Sequence, residues 1–224
     1  SRRLGAGDQL GAVASQNNGL AYGLLLTAPA SFGLFALAEP IMSVLFERGS
    51  FSAMDTQAAA YALMGFAPGL PAFVLIKILQ PSFFSQEDTK TPLFYAALGV
   101  GVNITLSLLY FPVYGHVAIA VATSFAGWVS LLAMVVHLSL TGWRMDMLFA
   151  RRLLVILLAC GALAAYLAWV TSPTLTGFTV LARWLIFHII SAAGLYFVVL
   201  AALSQIMLPA GISGWRRVSL GQKT

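Results

Sequence analysis

Six long apolar stretches constrain the fold of this 224-residue sequence more than any other feature. A helix needs about 20 mostly apolar residues to cross the roughly 30 Å hydrocarbon core of a bilayer. We predict six membrane-spanning helices, named A to F, over residues 19–38, 53–84, 92–111, 116–140, 150–170 and 179–208. An interfacial segment over residues 8–18 precedes A. The expected fold is all-α: a polytopic transmembrane helix bundle.

The composition excludes an ordinary water-soluble domain. Hydrophobic residues make up 60% of the chain and charged residues 8%, and the mean hydropathy is +0.90. Soluble domains are about one quarter charged. The net charge is +5, and the basic residues lie between apolar stretches rather than in clusters with aromatic residues. We therefore expect membrane lipids and no nucleic acid as partners. The chain begins at Ser1 rather than at a methionine, and we expect a fragment of a longer protein.

The basic residues predict the orientation of the helices. Of the twelve lysines and arginines, Arg48 and Arg183 lie on one predicted side of the membrane, and Lys77 lies inside helix B. Cytoplasmic loops are enriched in Lys and Arg. We therefore predict cytoplasmic N- and C-termini. The remaining nine basic residues then lie on the cytoplasmic side: Arg2, Arg3, Lys90, Arg144, Arg151, Arg152, Arg216, Arg217 and Lys223.

A short polar corner, residues 39–55, joins helices A and B. It contains an amphipathic segment after Pro40, followed by a charged turn that ends at Gly49. Ser52 and Asp55 have the spacing of a capping box, in which each side chain bonds the backbone N–H of the other residue. Gly49 is expected to adopt a positive φ. The corner is therefore predicted to set where helix B begins.

Prolines interrupt two of the predicted spans. Pro29 lies within A, and Pro68 and Pro71 lie within B, where each removes a backbone donor and should bend the helix. In a bilayer, such breaks persist only where neighbouring helices or a wet cavity satisfy the freed carbonyls. At the start of C, the sequence predicts Thr91 as the N-cap and Pro92 as the first helical residue.

Four polar residues in or beside the spans are candidate substrate contacts, and each has a second interpretation. Glu39 is either a cavity-facing carboxylate or an interfacial residue in water. Lys77 either faces a cavity that meets an anionic substrate or extends its amine to the interface. Asn103 is either a ligand contact or an interhelical hydrogen-bond group. His188 is either functional or a neutral histidine bonded to a neighbouring helix.

The sequence contains no constellation typical of catalysis. It lacks paired cysteines, a phosphate-binding glycine loop and the common hydrolase motifs, and its acidic residues other than Glu39 lie in loops or caps. His116 and His137 lie at opposite ends of D, so they are not expected to share a metal. Cys160 lies inside an apolar stretch and is interpreted as a packing residue. We expect no enzyme activity, no cofactor and no metal.

Two stretches resemble the signatures of the MurJ (MviN) lipid II flippase family. EPIMSVLFERGSFSAMDTQAAAYAL, residues 39–63, is similar to the family pattern P-I-x-x-x-L-F-x-R-G-x-F-x-x-x-D. KILQPSFFSQEDTKTP, residues 77–92, is similar to the family's cytoplasmic loop, with Phe84 where tyrosine is usual. The matching positions, to which we assign structural roles, are Arg48, Gly49, Phe51, Asp55, Asp88, Thr89, Lys90, Thr91 and Pro92.

This resemblance implies an architecture and a substrate. The family belongs to the MOP exporter superfamily, in which two six-helix lobes rock around a cavity and two extra helices follow. Residues 1–142 would be the last four helices of the second lobe. Residues 143–224 would be the extra pair, which forms a groove for the lipid tail, and a cytoplasmic tail. The upstream half of the transporter would be a partner.

The implied activity is flipping of lipid II, an undecaprenyl-linked peptidoglycan precursor. It would move from the cytoplasmic to the periplasmic leaflet of the bacterial inner membrane, by alternating access, for cell-wall synthesis. Two alternatives remain at this stage: another MOP carrier, of polysaccharide or drug, and a membrane scaffold without transport. Two helices beyond the lobe argue against a drug exporter.

Overall fold

A computed structural model describes residues 9–141, 147–170 and 178–207. Within those residues the chain forms eight α-helices and one 3₁₀ turn, and no strand, which confirms the all-α prediction. The 3₁₀ turn is Ala67–Gly69, between α3 and α4. The helices are α1 Gln9–Ala36, α2 Ala38–Phe46, α3 Ala53–Phe66, α4 Leu70–Phe84, α5 Lys90–Tyr114, α6 His116–Leu140, α7 Met147–Val170 and α8 Phe178–Met207.

The described residues contain six helical segments long and apolar enough to cross a membrane. They correspond to predicted helices A to F, and the second, Ala53–Phe84, combines α3, the 3₁₀ turn and α4. The bounds differ at several ends. α1 begins at Gln9, well before the predicted start of A, and α5 extends from Lys90 to Tyr114. The amphipathic segment of the corner is the separate helix α2.

Helix α1 lies at the centre of the packing. It packs against α4 on one side and α7 on another, while α5 pairs with α6 and α7 pairs with α8. Hydrogen-bonding contacts join neighbouring helices at both ends of the bundle. At one end a ring nitrogen of His116 lies 3.0 Å from the Ala58 carbonyl oxygen, and at the other the Tyr95 hydroxyl lies 3.2 Å from Nδ1 of His137.

The corner between α2 and α3 has the predicted geometry. The backbone N–H of Ser52 donates to the Asp55 carboxylate at 2.9 Å, and the Asp55 N–H donates to the Ser52 hydroxyl oxygen at 3.3 Å. This reciprocal pair is the capping box expected from the sequence. Gly49 has a φ of +62°, as predicted. Arg48 donates to the Val44 carbonyl at 2.9 Å, which ends α2 beside the turn.

The prediction for the start of helix C was wrong. The helix begins at Lys90 after Thr89 as N-cap, so Thr91 and Pro92 lie inside its first turn. The cause is Asp88, whose Oδ1 accepts from the backbone N–H of Lys90 at 3.1 Å and of Thr91 at 3.0 Å. Pro92 is tolerated there because the first four N–H groups of a helix have no intrahelical acceptor.

Side chains from two other helices bond the carbonyls exposed at the break in predicted helix B. The Ser124 hydroxyl of α6 donates to the Gly65 and Phe66 carbonyls at 2.6 and 3.1 Å. Ser31 of α1 donates to Ala67 at 2.6 Å, and the Trp128 indole of α6 donates to Pro68 at 2.8 Å. The expectation that neighbouring helices satisfy the freed carbonyls is confirmed for Ala67, whose helical donor Pro71 removes.

Two basic residues of the predicted cytoplasmic side lie within a helix, inside the predicted span 150–170. Arg151 and Arg152 belong to the first turns of α7, and Arg152 is only 3% exposed. One of its guanidinium nitrogens donates to the Asn18 side-chain oxygen of α1. This contact joins the start of α7 to the start of α1, a long-range pairing that the sequence did not predict. Cys160 is buried in the core, in agreement with its interpretation as a packing residue.

We expect cysteines at the two ends of the bundle to react from opposite sides of the membrane. In a Cys160→Ser background, Met54→Cys should be labelled from outside and Lys90→Cys from inside only. Met54 is 80% exposed at the start of α3, and Lys90 is exposed at the start of α5. The measurement is labelling by a membrane-impermeant maleimide in intact and in permeabilised cells. Labelling of both from one side would contradict the predicted orientation.

We expect Ser124→Ala to destabilise the protein, because it leaves buried backbone carbonyls without a hydroxyl donor. An unsatisfied buried acceptor costs about 1–3 kcal/mol. The matched control is Ser139→Ala, because that hydroxyl is exposed and bonds only within its own helix end, to Val136. Thermal unfolding of the purified full-length protein compares the two variants. Equal melting temperatures would show that Ser124 contributes packing alone.

Candidate functional site

An apolar groove lies between α1, α2, α7 and α8. Its volume is about 470 Å³, and among the described residues that line it the Tyr196 hydroxyl is the only polar side-chain group. Such a concave apolar surface suits an alkyl or isoprenoid chain and disfavours a charged group, which would lose its hydration there. The walls include Leu26, Pro29, Gly33, Leu163, Leu167 and Ala193.

Tyr196 and Pro29 meet at this groove. The Tyr196 side chain is only 1% exposed, and its hydroxyl donates to the Leu25 carbonyl of α1 at 2.9 Å. The Leu25 carbonyl lies one helical turn before Pro29, which has no N–H to donate. Pro29 does not end α1, which continues to Ala36. The contact therefore joins α8 to the interrupted part of α1.

A second, smaller cavity of about 220 Å³ lies between α4, α5 and α6 and carries several polar groups. The Asn103 amide donates to the Thr123 hydroxyl of α6 at 3.0 Å, and Ser107 donates to the Asn103 side-chain oxygen at 2.9 Å. Asn103 therefore forms the interhelical hydrogen bond that the sequence allowed. It also lines the cavity, beside Gln80 and Ser130, so its amide stands at a surface that a ligand can reach.

The structure separates the other three candidate residues. Lys77 is exposed on α4 and lines neither of the two cavities. Glu39 is exposed in the first turn of α2, where the helix dipole favours a carboxylate. His188 bonds the Trp184 carbonyl of its own helix at 2.8 Å, and its ring lies 4.4 Å from that of Trp184.

The four candidates do not form one site within the described residues. Among those residues, no hydrogen bond, ion pair or ring contact joins any two of Glu39, Lys77, Asn103 and His188. His188 was interpreted as functional or as bonded to a neighbouring helix. Its hydrogen bond lies within α8, and its contact with α7 is a ring stack on Tyr166 with centroids 6.4 Å apart.

The residues of the two motifs form turns at opposite ends of the bundle. Phe51 packs on Phe46 across the outer corner, with ring centroids 6.1 Å apart. In the other turn, hydrogen bonds from the side chain and backbone of Thr91 hold the pKa of Asp88 below its usual value. That carboxylate therefore stays ionised and bonded to the start of α5. Pro92 is buried and lines the smaller cavity.

Sequence reasoning did not identify Tyr196. A tyrosine inside an apolar span needs an acceptor, and a proline elsewhere in the bundle leaves a carbonyl that can accept. These two signals together point to such a pair, but they do not say which proline is reached. Helix α7 also carries several small residues, and they do not line the groove. Ala159 is buried in the core, and α7 contributes Leu163 and Leu167 to the groove instead.

Comparison with known proteins gives consistent matches. A family model described as lipid II flippase MurJ matches residues 1–187. The probable lipid II flippase MurJ of Rhizobium tropici is 38% identical over 208 residues, which cover 89% of this chain and 39% of the relative. That of Rickettsia prowazekii is 44% identical over 124 residues, or 55% of this chain and 24% of the relative. The chain thus spans about two fifths of the first relative's length.

A solved structure has the same fold. The chain is similar to a lipid II flippase MurJ in an inward closed conformation, with a TM-score of 0.71 and 24% sequence identity. The match covers 86% of this chain and 39% of that one. The likeness therefore supports the fold of the part of the chain that it covers.

Proposed function

The chain belongs to the lipid II flippase MurJ family, and on that premise we propose that it is the C-terminal part of a transporter. The transporter would move the undecaprenyl-linked precursor lipid II from the cytoplasmic to the periplasmic leaflet of the bacterial inner membrane. The observation that carries the proposal is the family match over residues 1–187, together with six candidate spans. The upstream part of the same protein would supply the remaining helices.

We assign the two parts of the chain to different tasks. Helices α1 to α6, within residues 1–142, would be the last four spans of the second lobe. Helices α7 and α8, within residues 143–224, would be the additional terminal pair. In support, α7 and α8 pack on each other and reach the remaining helices mainly through α1. A pair attached to one helix of a lobe can accompany that lobe without blocking its movement.

The groove is proposed to hold the lipid chain. Its lining is apolar apart from one hydroxyl, and that hydroxyl is already bonded to a carbonyl. An isoprenoid chain in it would lose no hydrogen bonds and would bury apolar surface, at about 25 cal/mol per Å² where it leaves water. The groove lies at the junction of the terminal pair and α1, so a chain held there stays beside the moving lobe.

The head group is proposed to meet polar residues of the lobe. A phosphate-linked sugar must be sheltered from hydrocarbon, and a cation within the bundle favours it. Lys77 would supply such a cation. It is exposed on α4, outside the linings of both cavities, and no hydrogen bond or ion pair links its ammonium to another described residue. Asn103 and Gln80 are polar groups in the mostly apolar lining of the smaller cavity. The proposed task is binding and reorientation without covalent chemistry, cofactor or metal.

We expect Gly33→Leu to lower transport several-fold while membrane protein levels stay normal. Among the described residues, nothing outside the adjacent backbone of α1 lies within 4 Å of a Cβ placed at Gly33, so the added side chain has room to extend toward the groove that Gly33 lines. The matched control is Gly161→Leu, because Gly161 lies on α7 with equally open space and outside the groove lining. The measurement is complementation of a flippase-depleted strain by the full-length protein, normalised to its membrane level.

Normal complementation by Gly33→Leu would remove the groove from the transport mechanism. An equal loss in Gly161→Leu would show that bulk on the terminal helices, rather than filling of the groove, causes the defect. Loss in Gly33→Leu alone supports the assignment of the lipid chain.

We expect Lys77→Ala to weaken transport several-fold and Lys77→Arg to retain most of it, because the positive charge attracts an anionic head group. Arg183→Ala serves as the control. Arg183 is an exposed cation in the candidate span of α8, and it does not line the smaller cavity between α4, α5 and α6. Initial transport rates in vesicles, at matched protein amounts, compare the three variants. Full activity of Lys77→Ala would favour the interpretation in which its amine extends to the interface.

A further inference from the structure

We propose that Tyr196 is a positioning residue whose hydroxyl replaces the hydrogen bond that Pro29 cannot donate, and thereby fixes the groove between α1 and α8. The inference rests on the proposed function only in assigning a lipid chain to that groove. The hydroxyl contact itself, and the test below, are independent of transport.

The missing donor follows from the position of Pro29 inside α1. In an α-helix, the N–H of each residue donates to the carbonyl four positions earlier, which for position 29 is Leu25. Proline has no N–H, and hydrocarbon offers no water in its place. The Leu25 carbonyl therefore needs a donor from elsewhere in the protein, or it remains unsatisfied within the bundle.

Tyr196 meets this requirement from a distant part of the sequence. Its hydroxyl lies 2.9 Å from the Leu25 carbonyl oxygen, although 171 positions separate the two residues. Its ring is almost fully buried, so the hydroxyl cannot exchange this partner for solvent.

The same solution occurs at a second proline of the chain. Pro71 removes the helical donor to the Ala67 carbonyl, and the Ser31 hydroxyl of α1 donates to that carbonyl at 2.6 Å. There the backbone N–H of Leu70 also bonds Ala67, because the chain forms a 3₁₀ turn. At Pro29 the helix has no such turn and continues as α-helix, so the side-chain donor from α8 carries more of the task.

The contact bears on the groove because its members also form the groove. Leu25, Pro29 and Tyr196 all line the groove, and they belong to α1 and α8, two of the four helices around it. While the Tyr196 hydroxyl donates to the Leu25 carbonyl, the hydrogen bond fixes the distance of α8 from α1 and its position along the α1 axis near Pro29. Without that bond, only packing holds the helices, and the width of the groove is free to change. A chain that enters the groove therefore lies beside Tyr196, the residue that positions α8.

The test is a double-mutant cycle in the full-length membrane protein. Tyr196→Phe removes the hydroxyl and keeps the ring, and Pro29→Ala restores the backbone N–H to Leu25. In the protein that retains Pro29, Tyr196→Phe should lower the melting temperature by about 1–3 °C. It should also increase the mean distance between α1 and α8 or broaden the distribution of that distance. In the Pro29→Ala background, the same substitution should change both quantities by less than half as much.

The distance is measured by pulsed electron paramagnetic resonance between spin labels at Phe32→Cys and Ile190→Cys, with Cys160→Ser. Both label sites are exposed and lie outside the groove lining. The matched control is Tyr166→Phe, because the Tyr166 hydroxyl lies 2.7 Å from that of Ser191 and joins α7 to α8 without a proline. It should leave the α1–α8 distance unchanged in either background.

Equal effects of Tyr196→Phe with and without the Pro29→Ala substitution would overturn the proposal. If Pro29→Ala does not accumulate, Pro29→Gly supplies the same N–H and takes its place in the cycle. If neither accumulates, the distance in Tyr196→Phe alone decides, and an unchanged value overturns it. Because no substrate is present, the cycle can fail while transport stands, and Gly33→Leu can retain transport while the cycle succeeds.

Discussion

Backbone carbonyls at helix breaks must find donors inside the protein, and much of this structure depends on that requirement. Hydrocarbon supplies no water to a freed carbonyl. At the break between α3 and α4, Ser31, Ser124 and Trp128 bond the exposed carbonyls, and at Pro29 the donor is Tyr196. Each of these donors belongs to a different helix from its acceptor. The prolines, which weaken single helices, thus create the polar bonds that hold helices together.

These bonds explain the central place of α1. It donates through Ser31 to the break in its neighbour and receives Tyr196 from the terminal pair, while Asn18 near its start accepts from Arg152 of α7. Close approach adds to this. A Cβ at Gly23 of α1 would lie 2.5 Å from Cδ1 of Ile78 on α4, so a larger residue would displace the Ile78 side chain where these helices cross. Helix α1 therefore connects the terminal pair to the other helices, and the groove lies at that connection.

The cavity that carries several polar groups and the apolar groove lie between different helices, and this arrangement fits an amphipathic substrate. Polar side chains gather in the cavity between α4, α5 and α6, whereas the groove beside α7 and α8 is apolar apart from one engaged hydroxyl. A head group and its isoprenoid chain differ in the same way. The proposed transport therefore needs no single pocket for both. It needs one surface that carries polar groups and one that is apolar, and these move together if the terminal pair, which is attached mainly through α1, accompanies the lobe.

The sequence by itself determined the helices, the outer corner and the family. Apolar length predicts spans, the Ser52–Asp55 spacing predicts a capping box, and the two motifs resemble one family, because these signals act over a few neighbouring residues. It misplaced the start of α5, where Thr91 competes with a carboxylate three residues earlier. Only the tertiary structure decided that Tyr196 reaches Leu25, that Arg152 reaches α1 and that the candidate polar residues lie apart. Such pairings depend on which helix faces meet, and that is set by packing among helices distant in the sequence.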